Sequence, residues 1–142
     1  IQDADLEYDP HDYSLLLDPF RNGAKVVYGS RTLSGTKRRS SWIYYWGAAF
    51  LNLVTNILYK THITDMETCY KAFDAQVIKS LCLKANRFDF EPEVTAKIRK
   101  AGHQIVEVPI SYAPRSSKEG KKISWKDGLT ALYTLVKLRL VR

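Results

Sequence analysis

The chain has 142 residues, of which 45% are hydrophobic, so it can bury the core of one domain and is not a disordered segment. Its net charge of +7 favours anionic partners, for which nucleic acid, a phospholipid surface and phosphorylated substrates all qualify. The two cysteines, Cys69 and Cys82, have no histidine or further cysteine at metal-binding spacing. The cysteines therefore imply neither a zinc site nor a disulfide framework, and a reducing, cytoplasmic setting fits best.

Four acids crowd the first ten residues. Asp3, Asp5 and Glu7 alternate, so an extended backbone would place their side chains on one face. Carboxylates this close repel one another unless a cation lies between them, and Mg²⁺ or Mn²⁺ takes oxygen ligands from carboxylates and substrate phosphates. The segment therefore predicts a metal–diphosphate site, although a solvated loop or a helix start near Pro10 explains the same acids equally well. Because this motif begins at the third residue of a chain without an initiator methionine, we expect a fragment.

The next two elements are a helix and a short strand. Apolar positions at helical spacing predict a helix over residues 10–20, with Asn22-Gly23 as its stop. The β-prone residues of 25–29 predict a strand that ends in a glycine turn. Arg31 follows that turn, so it should lie at a sheet edge, where ligands commonly bind in α/β proteins.

Residues 42–59 form an uncharged stretch that approaches the length needed to span a bilayer. A polar stripe nevertheless recurs at helical spacing, at Asn52, Thr55, Asn56 and Tyr59. The pattern favours a helix lying in the membrane interface, with its aromatic residues at headgroup level and the basic triplet 37–39 beside it. A helix buried in the core, or packed on another part of the protein, is the alternative.

The middle of the chain alternates between loops, strands and helices. A polar loop over 62–73 passes into a short strand, and Asp74 can cap the helix that comes next. A further helix follows residues 88–91, with Pro92 near its first position and Gly102 as its stop.

The carboxyl-terminal third contains a strand, a basic loop and a helix. Residues 104–112 alternate in hydrophobicity and predict a strand, in which Pro109 indicates an edge or an end. Residues 113–124 form the basic loop. The final helix is predicted to carry one apolar stripe, made of Trp125, Leu129, Leu132, Tyr133 and Val136.

Five short motifs follow one another along the chain. They are Asp3-Ala4-Asp5-Leu6-Glu7, Val26-Val27-Tyr28-Gly29-Ser30-Arg31, the stretch from Thr64 to Phe73, Phe90-Glu91-Pro92-Glu93, and the stretch from Glu107 to Tyr112 followed by Arg115 and Gly120-Lys121-Lys122. In this order they resemble the family 2 glycosyltransferases, above all the dolichyl- or polyprenyl-phosphate mannose and glucose synthases. The resemblance covers the second half of the family's catalytic domain. It implies an α/β fold, the carboxyl half of a Rossmann-like GT-A domain with a mixed sheet flanked by helices.

The resemblance also implies roles for individual residues. Asp3 and Asp5 match the family's Asp-x-Asp motif, which binds a divalent metal and, through it, the diphosphate of a nucleotide-sugar. Glu7 falls where some members place a neighbouring metal ligand. Asp65 matches an acid near the sugar and acceptor, although Cys69 stands where glycine is usual. The remaining matches are a second acid, Glu93, and the phosphate-facing basic residues Arg31, Arg115, Lys121 and Lys122, of which Arg115 is predicted to hold the acceptor phosphate.

The resemblance thus implies a metal-dependent glycosyltransferase, peripheral at the cytoplasmic membrane face, that moves a hexose from a nucleotide-sugar to a polyprenyl phosphate or similar acceptor. The family's nucleotide-binding strand and loop precede the Asp-x-Asp motif, so the chain alone is expected to be incomplete for activity and to dimerise through an open sheet edge. Alternatives are a non-catalytic membrane-surface module and an Asp-x-Asp phosphatase, in which Glu7 would stand where Thr or Val is expected. Nucleic acid is not an expected partner, because Asp3 and Asp5 oppose polyanion binding.

Overall fold

The computed structural model describes residues 1–2, 7–35, 42–113 and 125–141. A short 3-10 turn, Pro10–Asp12, leads into the first of five helices that these residues form. The helices are α1 (Tyr13–Arg21), α2 (Trp42–Tyr59), α3 (Ala75–Ser80), α4 (Phe90–Lys100) and α5 (Trp125–Leu140), and the strands are β1 (Val26–Ser30), β2 (Lys71–Phe73) and β3 (Val106–Pro109).

The three strands form one mixed sheet in the order β2-β1-β3. The central strand β1 pairs in parallel with β3 and antiparallel with β2, and all five of its residues are buried. At Gly29, a Cβ atom would lie 2.7 Å from the side chain of Ile110, so the close approach of the chain beyond β3 requires glycine there. The predicted α/β class with a mixed sheet flanked by helices is confirmed.

Both edges of this sheet have particular neighbours. Pro109 ends β3, which is an edge strand in the described part of the chain, as the proline predicts. On the other side, the backbone of Ile1 extends the sheet beyond β2, because its nitrogen donates to the Lys71 carbonyl at 2.7 Å and its carbonyl accepts from the Lys71 N–H at 3.3 Å. The strand predicted over residues 104–112 is shorter in the structure, where β3 covers Val106–Pro109.

Helices cover both faces of the sheet. On one face Val26 and Tyr28 pack against α3 and α4, while on the other Val27 packs against Leu16 of α1. A third cluster lies away from the sheet, where α2 and α5 pack against each other and against α4. Alternating residues of β1 thus contact different helices, as the two-residue period of a strand requires.

The two long helices expose much of their apolar surface. The apolar stripe predicted for α5 is largely exposed at Trp125, Leu129, Tyr133 and Val136, whereas Ala131 and Leu135 enter the core. In α2 the inner side carries Leu51 together with the polar stripe, while a second apolar side is exposed, with Trp46 60% exposed and Ile57 68% exposed. Within the described residues, no helix is both long enough and apolar enough to cross a membrane.

Candidate active site at the carboxyl edge of the sheet

Four chain segments meet where β1 and β3 end and β2 begins. Arg31 follows β1, residues 110–113 follow β3, the loop 61–70 leads into β2, and Glu7 and Tyr8 lie against these segments. Open α/β sheets bind ligands outside the carboxyl ends of their parallel strands. This edge is therefore the place in the described chain where a ligand site is expected.

A buried ion pair between Arg31 and Asp65 lies at the centre of this edge. The guanidinium donates from Nε and Nη2 to the two carboxylate oxygens, each at 2.7 Å, and the Arg31 backbone N–H donates to Oδ2 at 2.9 Å. The side chain of Asp65 is 1% exposed and that of Arg31 is 14% exposed. Burial lowers the pKa of Arg31, but the hydrogen bonds and charge of Asp65 outweigh it and raise that pKa above its usual value. The two side chains therefore act as one bidentate unit.

One nitrogen of the guanidinium takes no part in the pair with Asp65. The bonds to Asp65 use Nε and Nη2, which leaves Nη1 outside the pair. The ring of Tyr112 lies beneath the group, 5.1 Å from its centre to the guanidinium carbon. Asp65 thus fixes the orientation of Arg31 while Nη1 stays able to bind an acceptor such as a phosphate oxygen.

The carboxylate of Glu107, on β3, holds the loop that carries Asp65. It accepts hydrogen bonds from the Thr64 and Asp65 backbone N–H groups at 2.8 to 3.0 Å and from the Thr64 hydroxyl at 2.9 Å. Burial raises the pKa of Glu107, and the backbone donors act against that rise. The motif that contains Glu107 was recognised in the sequence, but this positioning role was not.

The polar stripe of α2 holds the same loop from the other side. Asn52 donates to the Thr64 carbonyl at 2.7 Å and accepts from the Met66 N–H at 2.9 Å. Asn56 makes the same double contact with the backbone of Ile63, at 2.9 Å for each bond. An asparagine amide can bind one donor and one acceptor at once. These two side chains therefore satisfy backbone N–H and C=O groups of the loop, as a neighbouring strand would. The periodic stripe was the sequence signal for them.

A buried lysine lies beneath this loop. The ammonium of Lys71 donates to the carbonyls of Met66, at 2.9 Å, and of Thr68, and it forms an ion pair with Glu91 of α4. The ring of Tyr28 lies 4.6 Å from the ammonium. Three acceptors and an aromatic face satisfy this charge inside the protein.

Glu67 lies in the same loop and has a different environment. Among the described residues its Oε1 is the one buried side-chain nitrogen or oxygen atom without a hydrogen-bond partner. Burial raises the pKa of Glu67 to about 7 from a usual 4.5, although the positive charge of Lys71 acts against the rise. Sequence reasoning missed this residue because the motif match gave it no role.

Glu93 is placed away from the Arg31–Asp65 pair. Its carboxylate accepts from the N–H groups of Lys84, at 3.0 Å, and Ala85, at 2.6 Å, and it forms an ion pair with Lys97 at 2.7 Å. Burial raises the pKa of Glu93, yet these donors outweigh it and hold the pKa below its usual value. The contacts show Glu93 holding the loop before α4. Its catalytic role stays a prediction, and it is Glu91, two residues earlier, that reaches the sheet edge.

Only part of the predicted metal site lies in the described chain. Glu7 is at the sheet edge, where its carbonyl accepts from the Ala113 N–H at 2.9 Å and its carboxylate accepts from the Tyr112 hydroxyl at 3.3 Å. A carboxylate placed there fits an oxygen ligand for Mg²⁺ or Mn²⁺. Residues 7–35, 42–113 and 125–141, with 1–2, contain no group of three or more acids, histidines and cysteines able to hold a metal ion. The other predicted site residues, Asp3, Asp5, Arg115, Lys121 and Lys122, lie outside the described residues.

Three curated relatives resemble the chain. It is 29% identical over 126 residues to undecaprenyl-phosphate mannosyltransferase of Micrococcus luteus, covering 84% of this chain and 50% of the relative. It is 30% identical over 117 residues to polyprenol monophosphomannose synthase of Mycolicibacterium smegmatis, covering 80% and 44%. It is 25% identical over 113 residues to glycosyltransferase AglJ of Haloferax volcanii, covering 80% and 37%.

The chain therefore spans half the length or less of these three relatives. No protein-family model and no solved structure matches it. The relatives' names agree with the five motifs and with the mixed sheet. By sequence, this chain is similar to named polyprenyl-phosphate glycosyltransferases, as its motifs predict.

Proposed function

We propose that this protein transfers a hexose from a nucleotide-sugar to a polyprenyl phosphate. The observation that carries the proposal is the buried Arg31–Asp65 pair, held at the carboxyl edge of the sheet with Nη1 of Arg31 outside the bonds to Asp65. The names of the Micrococcus and Mycolicibacterium relatives, both polyprenyl-phosphate mannose transferases, support this reaction class.

The reaction depends more on the positioning of the two phosphate groups than on a strong general base. An oxygen of the acceptor phosphate is already anionic, and it attacks the anomeric carbon of the hexose. The bond between that carbon and the diphosphate oxygen breaks, and its electron pair leaves with the nucleoside diphosphate. Oriented cations that hold both phosphate groups in line therefore supply most of the stabilisation that the protein must provide.

Arg31 is suited to one of these phosphate contacts, because Asp65 fixes its guanidinium and Tyr112 lies against it. Arg115, Lys121 and Lys122 are proposed to hold the acceptor phosphate from the basic loop. Asp3, Asp5 and Glu7 are proposed to hold Mg²⁺ or Mn²⁺, which when bound would neutralise charge on the leaving diphosphate.

A peripheral membrane contact at the cytoplasmic face is part of the proposal, because a polyprenyl acceptor lies in a bilayer. The outer stripe of α2 consists of the exposed residues Tyr45, Trp46, Phe50, Leu53 and Ile57. The outer stripe of α5 consists of Trp125, Leu129, Tyr133 and Leu140, which are also exposed. Apolar and aromatic side chains presented in this way suit the interfacial region of a membrane, and the positive net charge favours anionic lipid.

The test is transfer of radiolabelled sugar from nucleotide-sugars to polyprenyl phosphate by the full-length protein. Asp65→Asn should lower the turnover about a hundredfold, because it removes the charge that orients Arg31. Asp74→Asn is the matched control, since Asp74 caps α3 and pairs with Lys25 on the surface. No transfer by the unmodified protein, with any nucleotide-sugar, would refute the proposal. Equal turnover in the two variants would remove Asp65 from the site.

A further inference from the structure

The buried carboxyl of Glu67 has acceptor capacity that the fold does not use. Oε1 lies out of contact with solvent and has no hydrogen-bond partner in the described chain. Buried polar atoms in native proteins are nearly always paired, and an exception calls for an explanation such as a bound ligand. An unpaired buried oxygen in the loop that also positions Asp65 is therefore an observation about the site, beyond the proposed function itself.

The neighbouring charges do not neutralise Glu67 directly. Four charged groups act on it, namely Lys71 of β2, Glu91 of α4, Arg31 after β1, and Asp65 of its own loop. Lys71 donates to two carbonyls and Glu91, and Arg31 uses Nε and Nη2 on Asp65. Both cations thus donate to other acceptors, and neither donates a hydrogen bond to Oε1 of Glu67.

We infer that Glu67 is a sugar-binding residue, whose carboxyl accepts a hydrogen bond from a hydroxyl of the transferred hexose. A hydroxyl is the ligand chemistry that a single buried acceptor satisfies, whereas a metal ion would need further ligands that the described residues do not provide. The place is consistent with this role, because the loop of Glu67 also holds Arg31, whose Nη1 can bind a phosphate. The inference rests on the proposed function and adds a residue that selects the sugar.

The experiment compares two ligands that differ only in the sugar. In the full-length protein, Glu67→Met removes the acceptor at similar size, and Glu67→Gln keeps an uncharged acceptor. Affinity for the nucleotide-sugar should fall about tenfold or more in the Met variant and less in the Gln variant. Affinity for the nucleoside diphosphate, which has no sugar, should stay unchanged. Asp18→Asn is the control, because Asp18 pairs with Arg21 on the surface of α1.

Deoxy analogues of the donor identify the hydroxyl. The unmodified protein should lose affinity for one deoxy donor, and Glu67→Met should show no further loss with that same analogue. Additive losses for every analogue, or equal losses for donor and diphosphate, would overturn the inference. A higher metal concentration needed for activity in Glu67→Gln would also overturn it, since Glu67 would then be a metal ligand.

Thermal melting separates a binding role from a structural one. Because Oε1 has no partner to lose, both Glu67 variants should melt at or above the temperature of the unmodified protein. A lower melting temperature in both would show that Glu67 supports the fold, and this too would overturn the inference. If the unmodified protein binds no nucleotide-sugar at all, it is the proposed function that fails.

Discussion

The Arg31–Asp65 pair concentrates charge at a point that water scarcely reaches. Placing an ion pair there costs desolvation, which the bidentate geometry and the added backbone bond offset. Such a pair is weak evidence for added stability but strong evidence that each partner needs the other. Removing one partner leaves a buried charge alone.

We therefore expect Asp65→Ala to lower the free energy of unfolding by about 3 kcal/mol or more, because it strands the Arg31 guanidinium. Asp18→Ala is the control, since Asp18 pairs with Arg21 in the open, at 3.4 Å, and should cost less than about 1 kcal/mol. Urea denaturation of the two variants measures both changes. Losses of similar size would mean that water reaches Asp65 freely.

Glu67 gives stability a pH dependence with a definite sign. Burial raises the pKa of its carboxyl to about 7, above the usual 4.5, so the folded state binds more protons than the unfolded chain between these values. The contribution of Glu67 to the free energy of unfolding is therefore fully present below pH 4.5 and is lost as the pH rises through 7. Glu67→Gln should gain about 1 to 3 kcal/mol relative to the unmodified protein between pH 4.5 and pH 8. Urea denaturation of both proteins at pH 4.5 and at pH 8 measures the difference in unfolding free energy. A difference that does not grow with pH would contradict the prediction.

The residue scale also shows what the sequence could and could not predict. The cap at Asp74 was predictable, because an N-cap acts on its own helix, and its side chain accepts from the Gln76 N–H. The choice between Glu91 and Glu93 was not predictable, since both lie in the first turn of α4 and only tertiary packing decides which one reaches Lys71. Arg31 and Asp65 are 34 residues apart in the sequence, so no local sequence pattern predicts that they pair.

At the scale of elements, α2 has the predicted bounds and exposes one apolar side. Its inner side carries Leu51 and the polar stripe, which binds the backbone of the loop 61–70 through Asn52 and Asn56. Hydrophobic periodicity locates a helix well, yet it does not say whether the apolar face meets the core or another surface. The same holds for α5, in which Ala131 and Leu135 are buried while the predicted apolar stripe is largely exposed.

The outer stripe of α2 is expected to bind lipid. Replacing Trp46 and Phe50 with serine should raise the vesicle concentration needed for half-binding at least about tenfold, because each large side chain contributes roughly 1.5 to 3 kcal/mol on burial. Flotation with vesicles that contain anionic lipid measures the change. Leu17→Ser is the control, since Leu17 is a comparably exposed residue of α1.

The basic triplet 37–39, which lies outside the described residues, should add a salt-sensitive part to the same binding. Changing Lys37, Arg38 and Arg39 to glutamine should weaken binding at low salt and have little effect at high salt, where screening removes the attraction. If all variants bind as the unmodified protein does, the stripe contacts protein rather than lipid.

At the scale of the whole molecule, the alternation of helices and strands was enough to predict the α/β class. The strand order was not predictable, because β2 and β3 join opposite sides of β1 through long connections. The five motifs gave the family resemblance, and the fold brings described members of three of them into contact, because Arg31 binds Asp65 and the Asp65 backbone binds Glu107. The predicted homodimer stays a prediction, which light scattering can check.

The full-length protein should depend on a divalent metal. Asp3→Ala or Asp5→Ala is expected to lower sugar transfer about a hundredfold, as when one strong electrostatic stabiliser of a transition state is lost. Both variants should also need more manganese for half-maximal rate. Asp9→Ala is the control, because the Asp9 carboxylate accepts from His11 and caps the turn Pro10–Asp12. Normal turnover and metal response in both variants would show that the assignment is wrong.

The double contacts of Asn52 and Asn56 join the outer stripe of α2 to the loop of Asp65 and Glu67 through a single layer of side chains. A bilayer that favours one placement of α2 therefore favours one placement of the loop. Thermodynamic linkage makes such an effect reciprocal: if lipid tightens donor binding by a given factor, the donor must tighten lipid binding by the same factor. A coupling free energy of about 1.4 kcal/mol corresponds to tenfold in each direction. A protein with the proposed function would then remain longest on the membrane when it carries a donor, and it would leave more readily after the sugar has gone.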